Sequence, residues 1–98
     1  MDLRSNATDN LFETILRLET LEDCYRFFED LCTIKELRDL SQRFQIATLL
    51  DQGLNYQSIV HQIDASTTTI SRVNQCLHYG AGGYRDALRR MNSVKEQL

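Results

Sequence analysis

With 98 residues, 42% of them hydrophobic and no proline, the chain has room for one domain, numbered 1–98, and is too apolar for disorder. A net charge of −3 and a pI of about 5.2 argue against a nonspecific polycationic binder. No stretch approaches the roughly 20 apolar residues of a membrane span, and the opening MDLRSNATDN lacks a hydrophobic signal core, so no membrane is expected and the expected location is cytoplasmic.

Nothing alternates for long as a half-buried strand would, so the predicted architecture is all-α. Residues 1–10 are polar and read as a frayed terminus, with a first helix starting near Thr8 or Asp9 and carrying Leu11, Phe12, Ile15 and Leu16 on one side. TLED at Thr20–Asp23 reads as a capping box opening a second helix, with Leu21, Cys24, Tyr25, Phe28 and Leu31 inward. TIKE at Thr33–Glu36 is another, opening a third helix that runs to about Gln52 with a stripe of Ile34, Leu37, Leu40, Phe44, Ala47 and Leu50. Gly53 stands where a left-handed residue would stop it. Asn55 then caps a fourth helix, Ser66 caps a fifth and Gly80 ends it. A last amphipathic helix, predicted over 84–97, carries Tyr84, Ala87, Leu88 and Met91.

The segment 55–79 holds the densest information. Ile59, Val60 and Ile63 form the expected inner face of a short helix, Asp64, Ala65 and Ser66 interrupt it, and Ile70 and Val73 resume on a second helix over roughly Thr67 to Tyr79. Two short helices across a tight turn have the form of a helix-turn-helix, whose second helix enters the major groove of DNA. Off the apolar face lie Thr67, Thr68, Thr69, Ser71, Arg72 and Gln75, whose hydroxyls, amide and guanidinium can reach phosphates and base edges. Tyr56, at the start of the fourth helix, can hydrogen-bond a phosphate. Double-stranded DNA is therefore the expected partner. The charge distribution agrees: residues 1–51 carry eleven acidic groups against six basic, and residues 52–98 three against five. Phosphate attraction is thus confined to one end and only mildly positive, so affinity should be modest and salt-dependent.

Residues 11–52 read as dimerisation helices. A helix-turn-helix needs about one supporting helix, yet three precede it, with apolar groups on more than one face. Phe27 beside Phe28 and Ile46 beside Ala47 look hard to bury in a monomer of this size, so an extensive homodimer interface is expected. A thicker monomer core is the plainer alternative. Cys24, Cys32 and Cys76 have no metal-ligand spacing and read as reduced cysteines acting as small hydrophobes, with no metal or other cofactor implied.

From Glu22 to Gly80 the chain resembles the Trp repressor superfamily, in particular the small TrpR-like proteins of the YerC/YecD type. FFEDLCTIKEL, LSQR at Leu40–Arg43 and ASTTTISRVNQCL from Ala65 to Leu77 carry the likeness. The resemblance implies six helices, an intertwined dimer, and two recognition helices presented to successive major grooves. It places Gln57 near the DNA backbone and Thr67, Thr68 and Thr69 where base edges and waters are met. Ser71 and Arg72 match a Thr-Arg type pair following a buried isoleucine, here Ile70. In the tryptophan-binding branch that arginine is followed by a glycine that leaves room for the indole, and here the position is Val73. A pocket arginine of the third helix aligns with Gln42, Arg43 being adjacent. Tryptophan is therefore not expected as the effector, and the resemblance names no other small molecule.

The favoured function is a homodimeric, sequence-specific DNA-binding transcriptional regulator of the repressor kind. The alternative is a protein-interaction module that keeps the fold and uses its acidic half to hold a partner. An enzyme is not expected, because His61, His78 and the scattered carboxylates and thiols show no nucleophile–base spacing.

Overall fold

The computed structural model describes residues 2–96 and consists of six α-helices, with no strand among the described residues. They are α1 (Asn6–Ile15), α2 (Leu21–Leu31), α3 (Ile34–Asp51), α4 (Tyr56–Gln62), α5 (Thr67–Tyr79) and α6 (Gly83–Glu96). Residue 97, the end expected for the last helix, lies outside the described residues.

Cap chemistry fixes most of the boundaries. Thr20 Oγ1 accepts from the Asp23 N–H at 3.0 Å, Asn55 Oδ1 from Ser58 at 2.9 Å, and Ser66 Oγ from Thr69 at 3.1 Å. The box at Thr33 is reciprocal: Thr33 Oγ1 accepts from the Glu36 N–H at 3.1 Å, and the Glu36 carboxylate accepts from the Thr33 N–H at 2.9 Å. The Thr33 backbone N–H, then the Thr33 hydroxyl, hold the Glu36 carboxyl below its ordinary value. Asp23 is held low chiefly by the Glu19 N–H, 3.2 Å from its Oδ2, so this shorter side chain reaches one residue beyond its own cap. Gly53 closes α3 at φ +91, with Gly53 N–H donating to Leu50 O (3.0 Å) and Leu54 N–H to Leu49 O (3.1 Å). These two bonds are the paired hydrogen bonds of a Schellman motif.

The start of α1 corrects the sequence reading. Its cap is Ser5, whose Oγ accepts from the Thr8 N–H at 3.1 Å, so the helix opens at Asn6 rather than near Thr8 or Asp9, and residues 6–10 are helical rather than frayed. Ser5, Thr8 and Asp9 are all competent caps, and the earliest wins because it adds the longest hydrogen-bonded run.

The chain divides into two compact units, one ending at Leu37 and the other beginning at Arg38, with α3 starting in the first and continuing into the second. The first unit buries no residue of α1 or α2. Leu16, Leu21 and Ile34 are 81%, 76% and 73% exposed, and Phe27 stacks edge-on to Phe28 at 5.5 Å. The second unit holds the core: Ile46, Ala47, Ile59, Ile70, Val73, Leu77 and Leu88, with Leu49, Leu50, Leu54, Tyr56, Ile63, Ala65 and Tyr84 packed around it. Several apolar positions depart from expectation, among them Leu21, Tyr25 and Leu31 of α2, which are exposed rather than inward because no other helix among the described residues covers that face. Ile46 and Ala47 are both fully buried within the single chain, so that pair does not require a partner to cover it. Val60 is 40% exposed instead of facing inward, because Ile59 already occupies the core side of the short α4.

Candidate nucleic-acid interface

The helix-turn-helix lies wholly within the second unit. In α5, Ile70, Val73 and Leu77 recur at three- and four-residue spacing and are all buried, which fixes the rotation of the helix. The same rotation exposes Thr67, Thr68, Ser71, Arg72 and Gln75. Thr69 is half-buried, its Oγ1 3.0 Å from the Ser66 hydroxyl and its N–H on the cap, so its polar atoms serve the helix start first. Gly80 follows the last residue of α5, and the position has no room for a side chain: a Cβ there would collide with the Cys76 carbonyl oxygen, to which the Gly80 N–H donates at 2.9 Å.

Three of the predicted residues meet in one shallow groove. Tyr56 and Gln57 of α4 and Thr67 of α5 line a space of about 370 Å³ together with Val60 and His61. Gln57 is exposed, whereas Tyr56 is half-buried and packs on the core, leaving mainly its outer edge to a ligand. The amino-terminal ends of both helices therefore border the same groove. That is the end from which a recognition helix meets bases while its companion meets the backbone. His61, read from sequence as lying on the outer face of its helix, lines this groove, and so does Val60, which helical spacing alone assigned to the core.

A second cleft, of about 290 Å³, is lined by Arg43, Thr69, Arg72, Val73, Cys76 and Tyr84. Its composition corrects the alignment made from sequence. Arg43, not Gln42, shares the cleft with Arg72, and Gln42 instead donates from Nε2 to the carbonyl of Asp64 at 2.8 Å. One residue on a helix is a rotation of about 100°, enough to exchange the two roles. Two guanidiniums beside a hydroxyl and a thiol make a site suited to an anionic group. Val73, 3% exposed, forms part of the wall of this cleft. At the far end of α5, His78 Nδ1 lies 2.9 Å from the Arg85 guanidinium of α6, and Arg89 pairs with Asp86 at 3.0 Å. The carboxylate neighbour occupies Arg89 of α6, while Arg72 stands exposed on the outer face of α5. Among the described residues no group of three or more His, Cys, Asp or Glu could hold a metal ion, and no helix is long and apolar enough to cross a membrane.

Known proteins share this arrangement over nearly the whole chain. The protein YerC of Bacillus subtilis is 47% identical over 95 residues, covering 97% of this chain and 91% of that protein. A candidate Trp repressor from Staphylococcus aureus superposes with a TM-score of 0.88 at 50% identity, over 92% of this chain and 90% of that one. A TrpR-like protein from Eubacterium eligens does so with the same TM-score at 46% identity, over 92% and 93%. The family model for the Trp repressor protein matches residues 6–92, from the first residue of α1 into α6. With six helices in this order and a helix-turn-helix formed by α4 and α5, the chain belongs to the Trp repressor family, whose members are regulators and not enzymes.

Proposed function

We propose that this chain is a homodimeric transcriptional regulator that binds double-stranded DNA sequence-specifically through α4 and α5 and acts as a repressor. The observation that carries this is the division of α5: Ile70, Val73 and Leu77 are locked in the core while Thr67, Thr68, Ser71, Arg72 and Gln75 stand exposed. A rigid helix displaying hydroxyls, an amide and a guanidinium beside the start of α4 suits the major groove. In this reading Gln57 and the outer edge of Tyr56 meet phosphates, Thr67 and Thr68 meet base edges, and Arg72 anchors the helix on the backbone. Thr69, committed to the cap, supports the opening turn and contacts DNA through its methyl group or through water.

The second copy follows from the first unit, which exposes Phe12, Leu16, Leu21, Tyr25, Leu31 and Ile34. That much apolar surface on consecutive helices is costly in water, at about 25 cal/mol per Å². Helices 1 to 3 of a partner would cover it and pair two copies of α5. Such a dimer also doubles the phosphate contacts of a mildly positive face. The two α5 helices are held by packing, so the dimer binds DNA without a ligand, and the cytoplasm is where it works.

The test is recovery of bound duplexes from a random-sequence pool by the purified protein. Enrichment of a defined sequence supports the reading. An unenriched pool, with weak binding that vanishes as salt is raised, contradicts it and favours a protein-interaction module.

A further inference from the structure

We propose that Gln42 of α3 is a positioning residue that fixes the start of α5 and thereby the sequence preference of the protein. The inference rests on the DNA-binding reading and concerns the four residues joining α4 to α5. Ile63, with φ −135 and ψ 149, and Ser66, with φ −75 and ψ 152, are both extended. The connection contains no glycine and no residue of positive φ, so no left-handed residue locks its path. Internally it is closed by the Ala65 N–H donating to Ile63 O at 2.9 Å, a hydrogen bond across one residue only. The residue spanned by that small turn is Asp64, and its carbonyl accepts from Gln42 Nε2 at 2.8 Å. A side chain 22 positions away thus holds the apex of the turn against α3.

The geometry makes this hold matter more for base reading than for phosphate contact. The turn leads directly into Thr67 and Thr68, the residues read as meeting base edges, whereas Arg72 lies one turn further along α5. A displacement of about 0.5–1 Å at the apex of the turn is therefore carried to those two threonines, as large as the spread of good hydrogen-bond distances. A long arginine such as Arg72 can follow such a shift and keep a phosphate, whereas short side chains on base edges cannot. Gln42 is half-buried in the second unit and belongs to neither the groove nor the Arg43–Arg72 cleft, so its replacement leaves both linings intact.

The experiment compares Gln42→Met, which removes the donor at similar length, with the parent protein. Affinity is measured for the selected duplex and for a scrambled duplex of equal length, alongside Tm and the exchange rate of the Ala65 amide. The expected result is a two- to tenfold loss on the selected duplex, about what one hydrogen bond contributes. Scrambled-duplex affinity stays at the parent level, Tm falls by no more than roughly 4–8 °C, and the Ala65 amide exchanges faster. Gln42→Lys, which restores a donor of similar reach, should recover the ratio of selected to scrambled affinity. If the methionine variant unfolds, Gln42→Glu keeps the shape, loses the donor and carries the same comparison. An unchanged ratio, or equal losses on both duplexes, overturns the proposal. A parent protein that never distinguishes the duplexes overturns the DNA-binding reading itself, which is a separate outcome.

Discussion

Arg72 and Thr68 are both exposed on α5, four residues apart, yet they stand in different surroundings. Thr68 is on the opening turn, beside the capped end of the helix, where a short side chain reaches a base only if the helix itself is in the groove. Arg72 is one turn further on, bordering the cleft that also holds Arg43, and its length suits a phosphate. Arg72→Ala should therefore weaken binding to every duplex and reduce the salt dependence by about one phosphate contact. Thr68→Ala should change the preferred sequence, at a discrimination of about 1–3 kcal/mol for the base it reads. Anisotropy titrations on selected and scrambled duplexes separate the two, and identical behaviour of both variants would contradict the division of roles. Val73 decides a second matter at this scale. Its branched side chain is buried where the tryptophan-binding branch has glycine, and overfilling a formed pocket costs about 1–3 kcal/mol. Arg43 and Arg72 still supply cationic partners for a carboxylate, so the obstacle is volume and not charge. Calorimetric titration of free tryptophan into the protein should give no saturable heat, and one saturable site per chain would show that the indole fits.

At the scale of the helix, the reciprocal box at Thr33 and Glu36 opens α3 through a carboxylate held below its ordinary value of 4.5. A depressed folded-state value means that the stabilisation is complete above the ordinary range and disappears as pH falls through the folded value. Carboxyl NMR should show Glu36 titrating below 4.5, and Glu36→Gln should flatten the acid-side loss of helix there; titration at or above 4.5 would refute the box as a source of stability. Such caps were legible in the sequence because their chemistry is local: Thr20, Thr33, Asn55 and Ser66 each bond a backbone N–H three residues away. The start of α1 was less legible, since several neighbouring residues could cap it and only the finished helix selects Ser5. Periodicity likewise states which residues share a face but not what covers it. Hence Val60 was assigned to a core that Ile59 fills, and Ile46 was taken for a surface that the second unit buries by itself. The exchanged roles of Gln42 and Arg43 have the same origin, because the rotation of α3 against α5 is set by contacts distant in sequence.

For the whole molecule, the uneven distribution of burial is the main fact. Among the described residues, the second unit carries the buried apolar residues from Ile46 to Leu88, and the first unit buries none in α1 or α2. A homodimer that covers the first unit couples folding to association, so the melting temperature should rise with protein concentration. A monomeric mass at micromolar concentration, with a melting temperature independent of dilution, would contradict that. The outward-facing side of α5 was legible in sequence, because Ile70 and Val73 dictate which polar residues face out, with half-buried Thr69 the exception. The groove it shares with Val60 and His61, and the tie from Gln42, depend on elements meeting in space and were not visible. The most direct test of a dimeric, sequence-specific DNA reader is the symmetry of the duplexes it selects from a random pool. The account predicts a two-fold symmetric sequence whose half-site centres lie about 34 Å, or one turn of duplex, apart or a multiple of that; a pool with no enriched sequence, or with an enriched single half-site lacking any symmetric mate, would contradict it.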